Sequence, residues 1–163
     1  MSVQLRPMRD DEFTAWLPLI RERYAADMVE QAGLTEAQAA AKAADDSARL
    51  FPGGVPSEQQ LVYVIEADGE PAGDLWLCQR DDFMGPCLFV YDIRLEARFR
   101  GLGYGRAAMQ FAEAEARRLG VDRVALNVFG GNEVARGLYR SLGYRENAVA
   151  MSKTLWEGSA TRS

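Results

Sequence analysis

The 163-residue chain contains no histidine, and that absence removes whole reaction classes at the outset. Ser-His-Asp and Cys-His nucleophilic machinery, histidine-ligated metals and a histidine general base are all excluded. Cysteine is scarce: Cys78 and Cys87 are the only two. They are too few for a four-ligand zinc cluster and read as reduced thiols of a cytoplasmic protein. No apolar run approaches the ~18–20 residues of a membrane span. The opening residues MSVQLRPMRDDEF put Arg and Asp where a signal peptide would be apolar. No metal and no membrane partner is therefore expected.

What is present describes one soluble domain, with 48% hydrophobic and 26% charged residues and enough length to bury a core without disulfide or metal staples. The net charge of −5 hides a split. Residues 1–91 hold 7 basic and 16 acidic side chains, whereas residues 92–163 hold 12 basic and 8 acidic. The acidic half suits cationic partners and the basic half anionic ones. Without a concentrated basic tract, duplex nucleic acid is not an expected partner.

Val3 to Arg6 alternates and ends at Pro7, as a short strand does. Asp10 or Asp11 opens a helix with Phe13, Trp16, Leu17, Ile20 and Tyr24 at helical spacing and a kink expected at Pro18. Thr35 and Gln38 have the form of a capping box for a second helix reaching about Leu50. Strands are expected at Gln60–Glu66 and Ala72–Gln79 around an Asp68-Gly69-Glu70 turn. A loop from Asp81 to Pro86 then leads to a strand at Leu88–Leu95. A helix over 103–119 ends at Gly120, a strand covers Arg123–Val128, and a helix from Asn132 to about Leu142 ends at Gly143. A last strand is expected at Ala148–Leu155. The domain spans 1–156, with residues 157–163 a frayed tail. This order gives an α/β fold: a mixed sheet, antiparallel through residues 60–95 and parallel across the 88–128 crossover, with helices packed on it.

The sharpest local signal is Arg98-Phe99-Arg100-Gly101-Leu102-Gly103-Tyr104-Gly105-Arg106, between a strand and a helix. Alternate glycines let a backbone turn tightly and present N–H groups at a helix N-terminus, where an anion such as a pyrophosphate is stabilised. Arg94, Arg98, Arg100 and Arg106 surround the loop, with Glu96 opposing. Residues 103–108 also match G-x-G-x-x-A formally, which keeps a Rossmann-type nucleotide-binding protein as an alternative. That fingerprint normally follows a domain's first strand, and no Walker-type lysine is present.

Arg100-Gly101-Leu102-Gly103-Tyr104-Gly105 resembles the R/Q-x-x-G-x-G/A motif of the GNAT acetyltransferase superfamily. Asn132 to Tyr144 resembles the N-x-x-A-x-x-L-Y-x-x-x-G-F/Y segment that follows it in that family. The resemblance runs from Leu5 to the final strand and is nearest to bacterial members of unassigned substrate.

The resemblance implies a fold whose central parallel strands splay to admit acetyl-CoA as co-substrate. It implies a small-molecule or peptide amine as acceptor, and it leaves a homodimer open. It implies that Gly101, Leu102, Gly103, Tyr104, Gly105 and Arg106, with Arg100, hold the CoA pyrophosphate. Ile93 and Leu95 would pair with the pantetheine arm like an added strand, and the Leu95 N–H would polarise the thioester carbonyl. Asn132 would contact the cofactor while capping its helix. Tyr139 matches the family tyrosine that protonates the departing thiolate. Some relatives carry a glutamate base where this chain has Asn127, so Asp92, Glu66 or a water chain is left to take the amine's proton. A non-catalytic CoA-binding regulatory module is the alternative that Asn127 favours. Trp76 and Tyr91 read as core aromatics before cleft residues, and the two thiols as packed groups that could face each other across the hairpin.

Overall fold

The computed structural model describes residues 2–155, so the tail expected from 157 lies outside the described residues. Two compact units emerge, one of Met1–Leu17 with Ala48–Asn127 and the other of Pro18–Ser47 with Val128–Ser163. No helix of the described residues is long and apolar enough to cross a membrane.

The first unit is built on a five-stranded sheet in sequence order, β1 (Val3–Pro7), β2 (Gln60–Ala67), β3 (Glu70–Asp82), β4 (Gly85–Leu95) and β5 (Val124–Leu126). The first four pair antiparallel, and β4 pairs β5 in parallel across helix α3 (Tyr104–Arg118). This is the mixed sheet expected. It is not the all-parallel doubly wound sheet that a dinucleotide fold needs, and that alternative falls.

Asp68 (φ 51°) and Gly69 (φ 85°) form the tight β2–β3 turn, the two-residue geometry that matches strand twist. Asp68 is held there because its N–H donates to the Ser2 carbonyl and its carboxylate accepts from the Ser2 N–H, each at 2.8 Å. The next hairpin is tighter than the expected Asp81–Pro86 loop. Asp81 pairs with Pro86 and Asp82 with Gly85, so only Phe83 and Met84 turn. The Asp82 carboxylate accepts from the Met84 N–H at 2.8 Å and from Arg123 at 2.9 Å, while Gly85 supplies φ 110°.

One side of this unit's core is aromatic. Trp76 stacks on Tyr91 (4.6 Å, 27°) and meets Phe51 and Trp16 at 4.9 and 5.6 Å. Phe51 and Trp16 are themselves nearly fully buried, so Trp76 belongs to the core. Cys78 and Cys87 are free and buried, but they do not face each other. Cys78 lies opposite Phe89 and Cys87 opposite Arg80, which makes the thiols diagonal neighbours on one face.

The second unit holds the C-terminal part of α1 (Asp10–Ala32), most of α2 (Glu36–Leu50) and α4 (Glu133–Ser141). α1 continues through Pro18 without a break in the helix. The capping box of α2 forms in both directions: the Gln38 N–H donates to Thr35 Oγ1 at 3.1 Å, and Gln38 Oε1 accepts from the Thr35 N–H at 3.0 Å. Met28, Ala39 and Ala43 pack into a small core with Ala25, Val29 and Leu34.

Two expected strands change. The one at Arg123–Val128 is confined to three residues, and Ala148–Leu155 forms none. A strand exists by cross-strand hydrogen bonds and not by alternation alone. No ladder reaches Ala148–Leu155 among the described residues, and Val149, Met151 and Leu155 stand exposed.

Candidate functional site

In the first unit, β4 runs directly into the glycine loop. A single 3-10 turn (Ala97–Phe99) follows Leu95. Gly101 (φ 72°) and Gly103 (φ 89°) then bring the chain to the start of α3. Gly103 is the N-cap in the left-handed region and offers no side chain to the helix. The first helical bond is made by the Ala107 N–H to the Gly103 carbonyl, at 3.1 Å. The N–H groups of Tyr104, Gly105 and Arg106 therefore have no acceptor within the helix, and they sit at its positive end. Tyr104 anchors this turn. Its side chain is 5% exposed among Ala67, Ala72, Val3, Leu95 and Phe99.

The arginines around the loop are less free than the sequence alone suggests. Arg98 pairs with Glu70 at 3.1 Å as well as with Glu96 at 3.7 Å, and Arg94 lies 3.9 Å from buried Asp74. The β3–β4 register brings Asp74 opposite Arg94, a neighbour that sequence distance hides. Arg100 turns back along the chain, and its Nε donates to the Leu95 carbonyl at 3.0 Å.

The edge of β4 beside the loop is open. β5 covers only Leu88, Phe89 and Val90. Beyond them β4 has no parallel partner among the described residues. The backbone direction along that edge is set by a bulge. Trp76 lies opposite Asp92 and Leu77 opposite Val90, so Tyr91 is the extra residue. Before the bulge the Leu88 N–H points to β5, donating to the Arg123 carbonyl at 2.9 Å. After it the Glu96 N–H points the other way, to the Ala72 carbonyl of β3 at 2.9 Å. Alternation then turns the N–H groups of Ile93 and Leu95 to the open edge. Gly73 makes this register fit, because a Cβ there would stand 2.0 Å from the Arg94 carbonyl oxygen.

Of the candidate bases, Asp92 lies on β4 opposite Trp76, on the same face as Asp74 and Arg94. Glu66 on β2 accepts from Arg6 Nε at 2.7 Å, and Arg6 also binds Glu12 at 2.8 Å. This arginine holds the Glu12 carboxyl down to about 2.

In the second unit Asn132 caps α4, its Oδ1 accepting from the Ala135 N–H at 3.2 Å. Tyr139 is 9% exposed on the same helix. The helix ends in a Schellman turn: the Tyr144 N–H donates to the Tyr139 carbonyl and the Gly143 N–H to the Arg140 carbonyl, both at 3.0 Å, with Gly143 at φ 92°. The apolar contact that accompanies such a turn is the Tyr139–Tyr144 ring pair, 5.9 Å apart at 61°. Tyr144 thus packs against Tyr139. The Leu142-Gly143-Tyr144 ending carried that signal in the sequence, whereas nothing local marked the Tyr91 bulge or the close approach at Gly73.

A profile of the Acetyltransferase (GNAT) family matches residues 20–144. The chain is similar to two uncharacterized N-acetyltransferases of Bacillus subtilis (strain 168). YdgE is 32% identical over 156 residues, covering 95% of this chain and 99% of that one. YycN is 28% identical over 156 residues, covering 95% and 100%. The crystal structure of YycN matches with a TM-score of 0.86 over 96% of this chain and 100% of that one. At 15% identity, AAC(6′)-Iy in complex with a bisubstrate analogue shares the fold alone, with a TM-score of 0.64 over 94% of this chain and 98% of that one.

Proposed function

The chain belongs to the GNAT acetyltransferase family, and on that premise we propose that it moves an acetyl group from acetyl-CoA to a primary amine of a small molecule or peptide, by direct attack on the thioester. Residues 1–156 act in this reading as one acetyltransferase domain, because the family match runs through stretches of both units. The observation that carries the proposal is the open edge of β4 running into the glycine loop. An unpaired strand edge suits an extended pantetheine arm, and N–H groups without helical acceptors suit a pyrophosphate.

The chain's residues divide the work. The backbone from Gly101 to Arg106 binds the phosphates, and Arg100, bonded to the Leu95 carbonyl, ties that loop to the strand. Ile93 and Leu95 hold the arm through their edge-facing backbone. The Leu95 N–H donates to the thioester oxygen as negative charge develops there, an interaction strongest in the transition state. Asn132 contacts the co-substrate from the start of α4. The amine nitrogen bonds to the acetyl carbon, the carbon–sulfur bond breaks, and Tyr139 gives its phenolic proton to the leaving thiolate. A phenol of pKa ~10 can donate to a thiolate whose acid has pKa ~8.5 when held at hydrogen-bond distance. An alkylammonium of pKa ~10.4 must first shed a proton. Asp92, Glu66 or a water chain takes it, and the Glu66 carboxylate would do so while paired with Arg6 at 2.7 Å. Asn127 at the position of some relatives' base favours a second reading, a CoA-binding module without turnover.

Thiol release from acetyl-CoA across polyamines, amino acids, aminoglycosides and peptide N-termini separates the two readings. With the best acceptor, Tyr139→Phe should lower turnover by about 100-fold or more, with acetyl-CoA affinity by calorimetry unchanged. Undiminished turnover removes Tyr139 from the mechanism, and no release with any amine favours the binding module.

A further inference from the structure

On the face of β3 and β4 that carries Trp76, the register sets Asp92 and Arg94 two residues apart on β4, with Asp74 opposite Arg94. Asp74 is 6% exposed, and its Oδ2 lies 3.9 Å from Arg94 Nη1, which locates the guanidinium over that strand pair. Such a separation compensates charge but is too long for a hydrogen bond. The Arg94 side chain makes no hydrogen bond among the described residues, and 41% of it is exposed. Its neighbours differ: Arg98 pairs with Glu70 and Glu96, and Arg100 Nε is bonded to the Leu95 carbonyl. Every N–H of the Arg94 fork is thus left for a ligand. A planar fork of this kind takes a carboxylate through two parallel bonds.

Arg94 stands between Ile93 and Leu95, whose N–H groups face the edge proposed above to hold the thioester. Its side chain rises from the sheet face, so a group held there lies beside the reacting carbonyl without occupying the edge. The charges of these rows decide what that group is. Asp74 and Asp92 set two carboxylates against the one guanidinium of Arg94. A simple anion meets that negative excess as repulsion. A simple alkylammonium answers Asp92 and leaves the fork unfilled. A zwitterion answers both. Two residues of strand separate Asp92 from Arg94 by roughly 6.6 Å. The nitrogen and carboxylate carbon of an α-amino acid are about 2.5 Å apart, with charge-assisted bonds of about 2.8 Å at each end, a span that bridges the pair.

We propose that Asp92 and Arg94 form a recognition site for an α-amino acid as acceptor, Asp92 pairing with the ammonium and Arg94 with the carboxylate. Arg94 is then the specificity-determining residue, and the acceptor class is a free amino acid in place of a polyamine or a peptide N-terminus. Once its proton is lost, the amine nitrogen bonds to the acetyl carbon, and the products are an N-acetyl amino acid and the CoA thiol. The inference rests on the acetyltransferase reading above and narrows its acceptor. It holds whichever group takes the proton. Both residues belong to one strand of the first unit.

The test uses the full-length protein with the common L-amino acids as probes, each against its own carboxamide, which keeps the amine and the side chain and removes the carboxylate. At least one acid should be acetylated with kcat/KM about tenfold or more above its amide. Arg94→Gln should bring the two within about twofold of each other. Arg94→Lys, which keeps a cation over Asp74 and loses the planar fork, should fall between. A ratio taken within one variant is unmoved by a general loss of activity. Calorimetric titration of the same pairs into the CoA-saturated protein reads recognition without turnover and should give the same order. A wild type that prefers no acid over its amide in either measurement overturns the proposal. So does an undiminished preference in Arg94→Gln or, should that variant not fold, in Arg94→Lys. A loss of acetyl-CoA affinity in Arg94→Gln that is absent with acetyl-CoA lacking its 3′-phosphate also overturns it, because the fork then serves the co-substrate. If acids bind through Arg94 and nothing is acetylated, the recognition site stands and catalysis falls. If amines are acetylated with no preference for a carboxylate, catalysis stands and the recognition site falls.

Discussion

Gly73 is the residue on which the geometry of the open edge depends, and replacing it with alanine is a quantitative test. The added Cβ would lie 2.0 Å from the Arg94 carbonyl oxygen and 3.0 Å from both the Arg94 carbonyl carbon and Leu95 Cα. All three are backbone atoms, so no side chain can swing aside. Restoring ordinary contact requires β3 and β4 to part by about 1.4 Å at this point. That movement breaks the 2.9 Å bond from the Glu96 N–H to the Ala72 carbonyl and strains the pairing of Asp74 with Arg94. Overpacking costs about 1–3 kcal/mol and each lost hydrogen bond about 1 kcal/mol, so Gly73→Ala should destabilise by roughly 3 kcal/mol. For a chain of this size ~1 kcal/mol shifts Tm by about 2–4 °C, and thermal melting by circular dichroism should fall by about 6–12 °C. Because the displaced residues are Arg94 and Leu95, the KM for acetyl-CoA should rise in the same variant. Gly137 is the control. It lies inside α4, and a methyl group added to it would meet nothing within 4 Å, so Gly137→Ala should stabilise by about 0.5–1 kcal/mol. A Gly73→Ala protein that melts within about 1 °C of the wild type would refute the close approach.

Three further outcomes follow from the same contacts. Thr35→Ala removes one half of the reciprocal cap on α2 and should lower stability by about 1 kcal/mol in urea unfolding; an unchanged midpoint would show that the cap frays in solution. Glu12 titrates near 2 in the folded chain against an ordinary 4.5, chiefly because Arg6 donates to it. A depressed acid contributes stability that is complete above about 4.5 and lost as pH falls towards 2. The urea midpoint should drop over that window, and Glu12→Gln should shallow the drop while lowering the midpoint at neutral pH; parallel profiles would refute the assignment. Burial pushes both the Cys78 and Cys87 thiols up, so a disulfide reagent at pH 7 should modify them only as fast as the protein opens. Immediate stoichiometric labelling of the native chain would contradict their burial.

Local signals were legible in the sequence wherever the deciding partner is a few residues away. The Thr35–Gln38 box, the Asp68-Gly69 turn and the glycine ends at Gly120 and Gly143 all depend on backbone conformations that those residues favour by themselves. Features that depend on a distant partner were not. Alternation at Ala148–Leu155 states a willingness to pair, but no neighbouring strand answers it among the described residues. The arginines of the glycine loop look uncompensated along the chain, yet the hairpin returns Glu70 and Asp74 to them across β3. Charge counted along a sequence overstates the field at a loop for this reason. Pairing across a sheet neutralises residues that sequence distance keeps apart.

The Tyr91 bulge shows the same limit where it matters for chemistry. With regular alternation along β4, the residues sharing an edge with Leu88 and Val90 would be Asp92 and Arg94. One extra residue opposite β3 reverses that parity, so Ile93 and Leu95 turn their N–H groups to the edge while Asp92 and Arg94 keep theirs on β3. A bulge leaves no compositional mark, since the run from Leu88 to Leu95 reads as an ordinary strand. The family resemblance named Ile93 and Leu95 without giving a physical reason for them. The register supplies one: the bulge lets the strand present backbone donors at the open edge while its bonds to β3 continue on the other side. The extra residue is also the one whose ring stacks on Trp76. The aromatic core and the proposed thioester edge therefore meet at one residue, Tyr91, which packs on Trp76 with its ring and shifts the parity of β4 with its backbone.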